Sequence, residues 1–118
     1  MLPAAARMRR RTEFSRAIGE GSRSGRPLLA GHLLVRPGVG EPARIGFIVS
    51  RAVGPAVVRN RVRRRLRHLA AGHLHSLPEG SLLVLRANPP AATASQAELA
   101  AELGLVVGAL RKRQGGAA

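Results

Sequence analysis

Apolar residues along the chain fall into three short dense runs and two longer stretches with helical spacing. The dense runs are Leu28 to Val35, Arg44 to Ser50 and Ser81 to Ala87, each rich in Leu, Ile or Val and closed by turn-forming residues. They predict strands. Gly and Pro at 37–42 make the first break, Pro78-Glu79-Gly80 precedes the third run, and Pro89-Pro90 stops it. The first two runs, joined by that short break, suggest an antiparallel hairpin. In the stretch from Ala56 to about His73, Val58, Val62, Leu66 and Leu69 recur on one helical face. In the stretch from Thr93 to Arg113, Leu99, Leu103, Val106 and Leu110 do the same. Thr93 with Gln96, or Ser95 with Glu98, offers a capping box at its start. A shorter helix begins near Thr12 as N-cap, places Phe14 and Ile18 on one face, and ends at Gly19 and Gly21. Residues 22–27 read as loop.

Helix, strand, strand, helix, strand, helix is an α+β order. If the second and third strands are parallel neighbours, the central helix is a βαβ crossover. A chain of 118 residues that is 45% apolar suits one folded domain, with a basic N-terminal segment at 1–11 and a frayed tail at 114–118. Phe14 and Phe47 are the only aromatics, so aliphatic residues must build the core. The absence of cysteine excludes disulfides and thiolate chemistry. The opening apolar run, Met1 to Ala6, is too short for a signal peptide, and no stretch reaches the ~20 apolar residues of a membrane span. The expected location is the cytoplasm, with no membrane partner.

Charge changes the picture most. Twenty basic residues, nineteen of them Arg, face six Glu and no Asp, for a net charge of +14. Such a balance points to an anionic partner. Arg abundance alone can reflect coding bias, so the placement of the arginines carries the weight. Residues 59–67 hold six of them and no acid. Arg59, Asn60, Arg63, Arg64 and Arg67 lie opposite the apolar stripe, and Arg61 and Arg65 flank it. Ordinary exposed helices intersperse acids with bases. An unneutralised cationic face costs stability unless a polyanion binds it. DNA base readers mix more Asn, Gln, Ser and Thr into such a face. This one suits RNA phosphates and RNA shape, and no DNA partner is expected.

From Arg44 to Leu69 the chain reads RIGFIVSRAVGPAVVRNRVRRRLRHL. This closely resembles the signature of the protein component of bacterial ribonuclease P. Arg7-Met8-Arg9-Arg10 with Glu13-Phe14, and Leu83 to Ala87, resemble two further parts of that family, so the likeness spans about residues 7–112. The resemblance implies a two-layer α+β sandwich, a small mixed sheet packed with helices in the order α-β-β-(β)-α-β-α, and a left-handed βαβ crossover. Right-handed would be the default. It also implies a protein that binds a large catalytic RNA and assists removal of the 5′ leader from precursor tRNA. On that basis Ser50, Arg51, Gly54, Arg59, Asn60, Arg61, Arg63, Arg64, Arg65 and Arg67 face the catalytic RNA. A cleft between the sheet and the first helix would hold the single-stranded leader, lined by Arg9, Arg10, Phe14, Ile18 and His32. Ile18 and His32 stand where relatives often carry aromatics, so the stacking shelf is thin here. Pro55 and Ala52 depart from the usual Asn and Lys or Arg.

No residue set reads as catalytic. Glu13, Glu20, Glu41, Glu79, Glu98 and Glu102 are scattered, and His73 and His75 sit two apart at a helix end, a poor geometry for a shared metal. Magnesium is expected on the RNA partner rather than at a dedicated protein site. The competing readings are a structural ribosomal RNA-binding protein, which also predicts a basic helix, and a DNA-binding repressor, which predicts a dimer and one preferred duplex.

Overall fold

The computed structural model describes residues 2–116. Its main elements are α1 (Arg11–Glu20), β1 (Ser22–Gly25), β2 (Leu29–Val35), β3 (Arg44–Ile48), α2 (Ala56–Ala71), β4 (Ser81–Ala87) and α3 (Gln96–Gly116), with short 3-10 turns between several of them. The order α-β-β-β-α-β-α matches the one implied by the resemblance.

The sheet runs β1-β2-β4-β3. The predicted hairpin between the first two dense runs does not form. β4 inserts between them, antiparallel to β2 and parallel to β3. Its central place follows from composition: Leu82, Leu83, Val84 and Leu85 are all fully buried, and only a strand covered on both faces can bury a continuous apolar run. β3 and β4 with α2 between them form the expected βαβ unit. β2 finds its hairpin partner in β1, at residues that read as loop; Ser22 pairs with Leu33 and Arg23 with His32.

Helices cover both faces. α2 and α3 pack on one, closing a core that includes Leu29, Leu33, Ile45, Val62, Leu66, Leu83, Leu85, Leu99, Leu103 and Leu110. α1 covers the other, where Ala17, with Phe14 and Ile18 beside it, packs on Leu82, Val84 and Met8. The expected two-layer sandwich thus gains α1 as a third layer. α1 starts at Arg11 behind Arg10, one residue before the predicted Thr12 cap. The Ser95–Glu98 capping box forms: the Glu98 amide donates to Ser95 Oγ (3.1 Å) and the Ser95 amide to Glu98 Oε1 (2.8 Å). Gln114 to Gly116, expected to be frayed, continue α3; the rest of that tail, 117–118, lies outside the described residues.

The N-terminal segment belongs to the fold. Leu2, Ala6 and Met8 are buried. Arg7 bridges Ile45 in parallel, and the Met8 amide donates to the Ile45 carbonyl (3.0 Å). The segment thereby protects the exposed edge of β3.

Candidate nucleic-acid interface

The start of α2 is set by its approach. Ser50 and Arg51 are exposed at a 3-10 turn, Arg51–Val53, and Gly54 follows with φ 152° and ψ −173°. That backbone region is almost confined to glycine. Pro55 then leads into the helix in an extended conformation, where its missing N–H costs nothing. Along α2, Val62, Leu66 and Ala70 are buried, while Val58 and Leu69 are half-buried. The docking stripe is therefore centred one turn later than its first valine suggested.

The cationic side chains stay at the surface, and none of Arg59, Arg61, Arg63, Arg64, Arg65 or Arg67 is buried. Several are tethered by carbonyl or amide oxygens. Arg59 Nε donates to the Gly54 carbonyl (3.1 Å), and Arg63 Nη1 donates to Asn60 Oδ1 (3.2 Å). Arg61 Nη2 reaches the Ala92 carbonyl (3.4 Å) and Arg65 Nη1 the Ala94 carbonyl (3.1 Å). The two arginines flanking the apolar stripe thus also hold the segment that leads into α3. These bonds orient the guanidiniums without cancelling their charge.

Carboxylates go elsewhere. Glu13 pairs with Arg44, Glu20 with Arg16, Glu102 with Arg26, and Glu41 with Arg36 and Arg44. Glu98 closes its capping box. Among the described residues no arginine of α2 is matched to an acid. Arg16, Arg26, Arg36 and Arg44 take the paired carboxylates, and the six arginines of 59–67 form an acid-free run, a charge distribution that favours an anionic partner.

Where α2, β3 and the N-terminal segment meet, a notch of 350 Å³ opens, lined by Arg7, Arg9, Phe14, Phe47, Arg63 and Arg67 among others. Partial burial and the neighbouring Arg7 and Arg63 guanidiniums push the Arg67 pKa below its usual value. Sequence reasoning missed Arg7 and Phe47. The available signal was the alternation of apolar Leu2, Ala6 and Met8 with the first arginines, which marks an anchored segment rather than a free basic arm.

The five cleft residues inferred from the resemblance do not converge on one cavity. Arg9 and Phe14 share the notch. Arg10 lines an adjoining recess with Glu13 and Arg44. Ile18 is half-buried against Leu82 and Val84. His32 is 7% exposed, so its ring is buried rather than open to solvent. Its Nδ1 has no hydrogen-bond partner among the described residues. Burial, then the Arg23 and Arg86 charges, lower its pKa, which keeps the ring neutral at pH 7. Among the described residues no three His, Cys, Asp or Glu side chains gather as a metal site, and no helix is long and apolar enough to cross a membrane.

Fold and surface together define a small basic α+β protein with an arginine-rich helix face that carries no acid. A family model described as Ribonuclease P matches residues 2–111, and the chain belongs to that family. It is 59% identical over 104 residues to the ribonuclease P protein component of Nocardioides sp., covering 87% of this chain and 89% of that protein. It is 48% identical over 127 residues to that of Streptomyces avermitilis, covering 100% and 99%. Among solved structures, the Staphylococcus aureus RNase P protein superposes with TM-score 0.76 at 22% identity, over 87% of this chain and 93% of that one. The Thermotoga maritima RNase P protein, in complex with 1-(4-fluorophenyl)-2-thiourea, gives 0.73 at 20% identity, over 90% and 98%. Membership in this family implies an RNA partner.

Proposed function

We propose that this protein, acting as a single RNA-binding domain in the cytoplasm, binds the catalytic RNA of ribonuclease P and assists removal of the 5′ leader from precursor tRNA. The observation that carries this reading is the face of α2, where six arginines in 59–67 meet no carboxylate among the described residues. Phosphates supply the missing negative charge and release the counterions that otherwise screen the helix. Arg59, Asn60, Arg61, Arg63, Arg64, Arg65 and Arg67 form this contact, with Ser50, Arg51 and Gly54 at its leading edge. Arg9, Arg10 and Phe14 take the leader, while Ile18 and His32 support the shelf from beneath.

The chemistry of cleavage belongs to the RNA and to magnesium ions it holds. The protein contributes positioning and charge neutralisation, which bring substrate and catalyst together at lower ion concentration. Added to a bacterial ribonuclease P RNA and precursor tRNA at low magnesium, the protein is expected to raise the cleavage rate. No gain over RNA alone would overturn the reading and favour a structural RNA-binding role.

A further inference from the structure

The notch between α2 and the N-terminal segment is lined by four arginines from two separate stretches of chain, Arg7 and Arg9 on one side and Arg63 and Arg67 on the other. Arg63 and Arg67 are one turn apart on α2, and Arg7 comes from the segment that pairs with Ile45. Arg7 is not loose. Its backbone is fixed by that bridge, and its Nε donates to the Leu2 carbonyl (3.3 Å), while Leu2 itself is buried. No carboxylate lines the notch. Its walls are completed by Phe14 and Phe47, both half-buried. Like charges held together beside apolar rings repel one another unless an anion enters. A planar fork on each side matches the two free oxygens of a phosphodiester.

We propose that Arg7, Arg63 and Arg67 form a preformed clamp for one phosphodiester group of bound RNA, with Phe14 and Phe47 as its apolar wall. This rests on the RNA-binding reading above and adds to it a residue outside the arginine helix. The N-terminal segment then has a binding role as well as a structural one. It carries the guanidinium that closes the site opposite α2.

The phosphodiester can come from the catalytic RNA or from the leader, and two titrations separate them. One measures Kd for the catalytic RNA alone against salt. The other measures, also against salt, Kd of the assembled ribonucleoprotein for precursor tRNA with and without its leader. Wild type, Arg7→Met, Arg67→Met and the double variant are compared, with Arg16→Met as a control whose guanidinium is already paired with Glu20. The expected result is that Arg7→Met and Arg67→Met each lower the log–log salt slope by about 0.7–0.9 in the same arm. The double variant should lose no more than either single, because one phosphate is shared. The arm that changes names the source. An Arg7→Met slope equal to wild type in both arms, or a double variant that loses the sum, overturns the clamp. Arg7→Gln, which keeps a donor toward the Leu2 carbonyl, is measured alongside, so that a folding defect in Arg7→Met leaves the criteria intact. A wild-type protein that binds neither RNA would instead overturn the RNA-binding reading itself.

Discussion

The ring of Phe14 lies on Gly46: a Cβ placed on that glycine would meet Phe14 Cζ at 2.5 Å and Cε1 at 2.6 Å. A helix residue thus fills the space that a strand side chain would occupy, and the missing side chain of β3 lets α1 settle close to the sheet. Gly46→Ala is expected to destabilise the fold by about 1–3 kcal/mol, the usual cost of overpacking. Phe14→Ala should cost near the lower end of the ~3–5 kcal/mol seen for buried Phe, since the ring is half-buried. In the Phe14→Ala background Gly46→Ala should cost far less, a coupling that urea unfolding of the four proteins would measure. Phe14→Leu should retain the fold and still weaken binding of leader-bearing substrate. A wild-type affinity for that substrate in folded Phe14→Leu would remove Phe14 from the leader site.

The arginines of α2 separate by what else they hold. Arg64 makes no bond to the protein's own carbonyls among those described, whereas Arg65 donates to Ala94 and Arg61 to Ala92. Arg64→Ala should therefore leave stability within ±0.5 kcal/mol, the usual range for a plain surface change, and lower the salt slope for RNA binding by about 0.7–0.9. Arg65→Ala should lower the salt slope and stability alike, losing roughly 0.5–1.5 kcal/mol with its hydrogen bond. Thermal unfolding beside a salt titration distinguishes the two behaviours.

The arginine helix was legible in the sequence because periodicity and charge agree there: the positions that bury are apolar, and the rest are nearly all cationic. The partners of the strands were not. The run Leu82 to Leu85 declares burial on both faces, yet nothing local says which strands flank it, and proximity in sequence favoured a hairpin that β4 displaces. Ser22 to Gly25 has almost no apolar signal, because it is an edge strand whose exposed positions alternate with half-buried ones. The notch was hidden for a related reason. Arg7 and Arg67 are far apart in the chain, and only the bridge from Arg7 to Ile45 brings them together.

The capping box at α3 offers a local test. Ser95 accepts from the Glu98 amide, and the Ser95 amide in turn holds the Glu98 carboxylate below the usual carboxylate range. Ser95→Ala should cost about 1 kcal/mol. Separately, the lowered Glu98 pKa means that the stabilisation its carboxylate adds is present above the unfolded carboxylate pKa, near 4.3, and fades as pH falls through the lower folded value. A plot of unfolding free energy against pH should lose part of its acid-limb slope in Glu98→Gln.

His32 sets a dependence at milder pH. Burial, with Arg23 and Arg86 adding to it, lowers its folded pKa. On acidification the unfolded chain takes up a proton first, near the ordinary value of about 6.5, so stability falls as pH drops from there towards the folded value. His73 is lowered by burial first, then by Arg111 and His75, and contributes in the same direction. His32→Leu removes a ring whose Nδ1 is buried without a partner. It is expected to leave stability at pH 8 unchanged or higher, and to flatten the decline that begins as pH falls below about 6.5. An unchanged slope there would show that His32 does not titrate on unfolding.

Gly54 joins the backbone geometry to the RNA face. At φ 152° and ψ −173° it occupies a region that residues with a Cβ rarely adopt, and an added Cβ would lie 3.1 Å from the Val58 side chain. Gly54→Ala should therefore cost about 1–3 kcal/mol. The loss would not stay local. The Gly54 carbonyl accepts from Arg59 Nε, so a turn that relaxes to a new conformation also releases the first arginine of the cationic face. Weaker RNA affinity is expected together with the lower stability. Exposed Ser50, whose side chain makes no capping bond to the turn it precedes, should tolerate Ala with little change in stability. If folded Gly54→Ala binds RNA with wild-type affinity and salt slope, the approach to α2 does not set the arginine geometry. An equal fall in affinity for Arg59→Ala and Gly54→Ala, with no further fall in the double variant, would instead show that the glycine acts through that guanidinium.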